Sequence, residues 1–251
     1  PVGTTGESPT LSHDEHKKLV EVCVEQANGR VPVIAGAGSN STSEAVDFVK
    51  HACAAGADGL LVVTPYYNKP TQSGLLAHYN ELIKNSSKPI IIYDIPGRSV
   101  IKMSDITMAE LAKNDLIVGV KDATADLARP TRLQNLIGDD FIQLSGEDGT
   151  ALAYLAAGGH GCISVTANIA PNLLSRMHNA WKQGDITNAQ DINKKLMPLH
   201  DSLFCETSPG PLKYAASLLG ICSPEARLPI VEIEEISKKN VDSALKTAGL
   251  L

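Results

Sequence analysis

Short apolar, β-branched runs recur along this chain at the spacing of a strand followed by a helix, and no other feature narrows its possible folds so far. The runs begin near residues 31, 58, 89, 116, 141 and 160. Several, such as Ile90-Ile91-Ile92, are apolar without interruption. A strand with no polar face must be covered on both sides, as in a parallel sheet flanked by helices. The expected strands are 31–35, 59–63, 89–95, 116–121, 141–145 and 161–165. Between them, Ser12-His13-Asp14-Glu15 and Ser41-Thr42-Ser43-Glu44 each match a capping box, and Gly56 stands where a second helix would close.

This alternation predicts an α/β fold, a (β/α) barrel in preference to an open sheet. After residue 165 helix follows helix, over 168–184, 185–204, 211–220 and 231–249. The expected division is a barrel catalytic domain over 1–183 and a C-terminal helical domain over 184–251. A closed barrel of this type, the (β/α)8 TIM barrel, needs eight strands. Six runs and a fragment at Pro1-Val2-Gly3 are present, so the expectation is a barrel lacking its first βα unit, with a C-terminal helical extension.

Charge and composition exclude some functions. The 251 residues carry 22 basic and 28 acidic side chains, a net charge of −6, and no Lys/Arg cluster offers a footprint for phosphate backbones or anionic membranes. Neither nucleic acid nor membrane is an expected partner. No apolar stretch approaches the roughly 18 residues of a membrane span. The opening PVGTTGESPT has neither a basic nor an apolar leader segment, and the expected compartment is the cytoplasm. Cys23, Cys53, Cys162, Cys205 and Cys222 are widely spaced and form no CxxC or Cys/His cluster. They are expected to be small buried hydrophobes, with no metal site.

In such a barrel, chemistry gathers at the carboxyl ends of the strands. Gly3-Thr4-Thr5-Gly6-Glu7 could grip a carboxylate through backbone amides, but taken alone it is equally a Gly-rich turn. Tyr66 and Tyr67 sit together on a loop, where paired phenols more commonly serve packing or an interface. Tyr93 closes one apolar strand, with Arg98 one tight turn away. Lys121 closes another, 116–120. Desolvation at a barrel mouth would lower its pKa and free the neutral amine that forms Schiff bases with carbonyl compounds. A lone strand-terminal Lys is otherwise a solvated edge residue; the apolar approach and the company of Tyr93 favour catalysis.

Five segments, GTTGE (3–7), TPYYNKP (64–70), YDIPGRS (93–99), GVKDAT (119–124) and GGHGCISVTAN (158–168), occur in this order. Together they resemble the dihydrodipicolinate synthase family of pyruvate-dependent class I aldolases and lyases, and the similarity runs the length of the chain. Asp94, Ser99 and Ala125 stand where relatives more often have Asn, Thr and Gly; none of these departures removes a reacting group. The resemblance implies that Lys121 forms an iminium with pyruvate and that Tyr93 moves protons, relayed by Thr5 and by Tyr67 from a neighbouring subunit. It further implies that Thr4 and Thr5 hold the pyruvate carboxylate, that Arg98 binds L-aspartate 4-semialdehyde, and that Gly146 and Ile163 line the pocket.

The implied product is 4-hydroxy-2,3,4,5-tetrahydrodipicolinate, in the diaminopimelate and lysine route, with no cofactor. Ser8, Pro9, His13, His16, Asn40, Glu44 and Tyr66 match positions that bind feedback-inhibiting L-lysine, although Pro9 stands where Ala is frequent and Glu44 is also the third helical residue of a capping box. The implied assembly is a homo-oligomer, at least a dimer, with a tetramer expected. Two other readings remain at this stage. One is a different pyruvate-dependent aldolase, of the N-acetylneuraminate lyase or keto-deoxy-sugar-acid type, against which Arg98 and the Thr4-Thr5 pair argue. The other is an inactive, truncated homologue.

Overall fold

The structure, a computed structural model, describes residues 1–251. The chain forms two compact units: Pro1–Gly3, Leu11–Glu147 and Ala153–Cys162 make the first, and Thr4–Thr10, Asp148–Leu152 and Ile163–Leu251 the second. The first carries α1 (His13–Ala27), β1 (Ile34–Gly36), α2 (Thr42–Ala54), β2 (Gly59–Val63), α3 (Gln72–Asn85), β3 (Ile90–Asp94) and α4 (Pro96–Ser99). It continues with α5 (Asp105–Leu111), β4 (Ile117–Asp122), α6 (Arg129–Ile137) and β5 (Ile142–Ser145), then, past α7 (Ala151–Ala156) at the division, β6 (Gly161–Cys162). The second unit carries α8 (Pro171–Lys182), α9 (Ile186–Ser202), α10 (Gly210–Leu218) and α11 (Glu235–Ala248).

The six strands pair in parallel in chain order, β1 to β6, and the sheet curls as a half-barrel in an α/β unit. Its core is aliphatic, with Ala35, Leu60, Val62, Ile90, Ile92 and Val120 packed against Leu75, Leu82, Met108 and Leu133 from the helices. Pro1 and Val2 run along the open side of β1, where the Gly36 N–H donates to the Pro1 carbonyl at 2.9 Å. In the second unit a separate core forms around Leu174, Met177, Leu196, Leu199, Val241 and Leu245.

Several boundaries differ from expectation for local reasons. β1 begins at Ile34 because Pro32 has no N–H for the ladder and the Asp58 carboxylate takes the Val33 N–H at 2.8 Å. β6 is two residues long. Beyond it, Asp148 accepts from the Val165 and Thr166 N–H groups at 2.8 and 3.3 Å and from the Ser164 hydroxyl, so 163–166 are held by a side chain instead of by the sheet. The first expected capping box forms as read, with Ser12 and Glu15 reciprocally bonded. The second does not. Ser41 caps nothing through its side chain, and Glu44 is engaged elsewhere.

Candidate active site

β3 and β4 lie side by side with Tyr93 paired to Lys121 and Asp94 paired to Asp122. Alternation along a strand turns Tyr93 and Lys121 to one face and the two aspartates to the other. The Lys121 Nζ lies 4.1 Å from the centroid of the buried Tyr93 ring, which puts an amine and a phenol on one side of the sheet at its carboxyl end. β4 approaches this point through Gly119, where a side chain would collide with the Ile142 carbonyl of β5. Gly146 follows β5 and donates its N–H to the Asp122 carbonyl at 2.7 Å. A Cβ there would stand 2.9 Å from the Ala123 Cβ and 3.3 Å from the Lys121 Cε. Only glycine leaves the lysine stem that room.

Arg98 projects from α4, a short helix where the sequence indicates a tight turn, and is exposed. Tyr67 is 86% exposed and its backbone has φ +71°, a conformation uncommon for a non-glycine residue. Neighbouring Asn68 anchors that loop by donating its side-chain amide to the Asn40 carbonyl at 2.8 Å. Thr4, Thr5, Ser8, Pro9 and Ile163 belong to the second unit. There the Thr4 carbonyl accepts the Glu7 N–H at 3.1 Å, which closes the Gly-rich segment as a turn. Glu7 is a structural tie, bound to the Lys213 ammonium at 2.8 Å and the Arg227 N–H at 2.7 Å. Ser8 and Pro9 lie in the 3-10 turn Ser8–Thr10, and Ile163 follows β6, half-buried.

Five of the seven residues expected to hold L-lysine meet within the first unit. The Glu44 carboxylate bonds the His13 Nε2 at 2.6 Å and, through its other oxygen, the Ser39 hydroxyl. Those two bonds occupy the carboxylate and leave the α2 cap unmade, which corrects the capping-box reading. His16 stacks on Phe48 with ring centroids 4.0 Å apart and binds the Gly36 carbonyl through Nε2 at 2.9 Å. Burial lowers the His16 pKa. Half-buried Tyr66 bonds to Ser39 and the Asn40 backbone, and burial together with the Glu44 charge raises its pKa. This cluster draws on α1, the segments after β1 and β2, and the start of α2, whereas the amine and phenol come from β3 and β4.

A charged group that the sequence reading passed over is Arg129, at the start of α6. It is wholly buried and bridges Asp94, Asp105 and the region of Asp122. Its trace in the sequence is faint: two aspartates that each directly follow a candidate reacting residue, and an Arg-Pro at a helix start.

The model of the Dihydrodipicolinate synthetase family matches residues 1–248. A 4-hydroxy-tetrahydrodipicolinate synthase of Rhodospirillum centenum is 60% identical over 251 residues, covering 100% of this chain and 86% of its own length. A chloride-inhibited dihydrodipicolinate synthase from Acinetobacter baumannii, solved with pyruvate, is 42% identical with a TM-score of 0.96, covering 100% of this chain and 86% of that one. The corresponding enzyme from Cyanidioschyzon merolae, solved with lysine bound, is 37% identical with a TM-score of 0.96, covering 100% of this chain and 85% of that one.

Proposed function

The chain belongs to the dihydrodipicolinate synthetase family, and from that premise we propose how its residues carry out the reaction. The activity is that of a 4-hydroxy-tetrahydrodipicolinate synthase, a lyase. Pyruvate held as a Schiff base condenses with L-aspartate 4-semialdehyde, on the route to diaminopimelate and lysine. The Lys121 amine attacks the pyruvate ketone, and the carbinolamine loses water to give an iminium. The iminium charge acidifies the pyruvate methyl, and loss of a proton leaves an enamine that attacks the aldehyde carbon of the second substrate.

Tyr93 serves as acid and base in these transfers, since an unaided phenol, with a pKa of about 10, needs partners to act near neutrality. Tyr67, from a second copy, and Thr5 are its relay. The planar guanidinium of Arg98 suits a carboxylate of the incoming aldehyde. Thr4, Thr5 and Ile163 keep the roles that the family resemblance implies. The six strands are part of the family's eight-stranded barrel, the catalytic domain runs to 183 and the helical domain from 184, the assembly is a dimer or tetramer, and the compartment is the cytoplasm.

The observation that carries this reading is the Lys121 Nζ at 4.1 Å from the Tyr93 ring on paired strand ends; the strong exposure of Tyr67 supports its service to another copy. Incubation with pyruvate and borohydride is expected to add a stable mass to the peptide holding Lys121. Lys121→Ala should take up no label. Lys121→Arg should also fail, because a guanidinium stays protonated. Full labelling of Lys121→Ala would refute the assignment.

A further inference from the structure

Behind the reactive pair, on the opposite face of the sheet, lies a buried group of charges. Asp94 is fully buried and Asp122 nearly so, and they face each other across one rung of β3 and β4. Two adjacent carboxylates in a dry interior repel and need a shared cation. Arg129 supplies it. Its Nη1 donates to the Asp94 Oδ2 at 2.7 Å and lies 3.5 Å from the Asp122 Oδ1, its Nε donates to the Asp105 Oδ1 at 2.9 Å, and its Nη2 donates to the Met103 carbonyl at 2.8 Å.

The same two aspartates also hold backbone. The Asp94 carbonyl accepts the Ala123 N–H at 2.9 Å, and the Asp122 Oδ1 accepts the Thr124 N–H at 2.9 Å. The guanidinium thus joins the ends of β3 and β4 directly beside the residues that bear the phenol and the amine. A buried ion pair is weak evidence for stability, because apolar residues of like volume often serve as well; what a rigid planar fork adds is a fixed separation between the groups it spans. Burial raises the Asp94 pKa while Arg129 opposes it, consistent with a site where that cation is needed to hold charge.

We propose that Arg129 is a positioning residue for the condensation: by spanning Asp94 and Asp122 it fixes the ends of β3 and β4 against each other, and with them the placement of the Lys121 amine relative to the Tyr93 phenol. The proposal rests on the reading of Lys121 as the nucleophile, and it goes beyond that reading by assigning the geometry to a residue whose carboxylate partners Asp94 and Asp122 lie on the sheet face opposite both reacting groups.

Two variants test it. Arg129→Lys keeps the charge and loses the fork. The triple variant Arg129→Met with Asp94→Asn and Asp122→Asn leaves no unpaired charge on these strand ends and gives the chain a second chance to fold. For each folded variant, confirmed by a cooperative thermal melt, kcat should fall about 10- to 100-fold, the scale of a displacement near 1 Å. The KM for pyruvate should change less than about threefold, and the rate of borohydride-trapped imine should fall with kcat.

Wild-type kcat and labelling in either folded variant, or a loss confined to KM, would overturn the proposal. Failure of both variants to fold would overturn it as well, making Arg129 a folding residue. Absence of label on the wild-type chain would instead defeat the nucleophile reading and this proposal with it, whereas a labelled wild type with unaltered variants defeats the proposal alone.

Discussion

At Gly146 the room for a methyl group is already taken, by the Ala123 Cβ on one side and the Lys121 stem on the other. Gly146→Ala should therefore push the lysine aside. Overpacking of this kind costs on the order of 1–3 kcal/mol, and a displaced nucleophile should form the pyruvate imine about 10- to 100-fold more slowly. Borohydride trapping under single-turnover conditions measures this, and a wild-type rate would show that the stem does not need the gap. Lys121 and Tyr93 were legible in the sequence because each closes an apolar run, and a polar group at such a point has few places to go but the mouth of the sheet. Arg129 was not, because nothing local distinguishes a buried Arg on a helix start from a solvated one. Its burial follows from Asp94 and Asp122 meeting on one rung of adjacent strands, a pairing that lives in the register between them.

Between α2 and α3 the packing is closed by His78, whose Nδ1 bonds the Thr42 hydroxyl at 2.9 Å and whose Nε2 is buried without a hydrogen bond. Its ring meets Tyr79 edge-on at 5.3 Å. Burial lowers its pKa to about 4 from the ordinary 6.5. The unfolded chain thus takes up this proton first as the solution is acidified. The stability linked to His78 is fully present above pH 6.5 and is lost as the pH falls through 6.5 toward 4. Between pH 7.5 and 5 it should account for a loss of about 2 kcal/mol. Denaturant titrations at the two pH values, on wild type and His78→Gln, should show a smaller drop in the variant, with His16, His178 and His200, also lowered by burial, contributing to the remainder. An equal drop in both proteins would contradict it. At this scale the central strands were readable from apolar content alone, while the edges turned on single side chains. Pro32 and Asp58 delay β1, and Asp148 cuts β6 short, through contacts that no periodicity announces.

For the molecule as a whole, the parallel α/β order followed by a run of helices was plain from the alternation of patterns, whereas the compact units interleave distant segments such as Thr4–Thr10 with Ile163–Leu251, an exchange fixed by tertiary contacts. The His13, Ser39, Glu44 and Tyr66 cluster belongs to this scale too, since we read it as the place where product of the pathway reports back. Millimolar L-lysine should lower the rate of the wild-type enzyme, and Glu44→Ala, which removes a charged partner for the ligand amine, should relieve the inhibition at least tenfold in lysine concentration while changing uninhibited kcat less than about twofold. Calorimetry on active, assembled enzyme that detects no lysine binding would end this reading. The cluster and the reactive pair share no strand or helix. On that reading, restraint and chemistry would be, for a breeder of overproducing strains, separate loci that adjoin at Tyr66 and Tyr67, and alleles confined to α1 and the start of α2 would unlock flux while leaving the nucleophile as inherited.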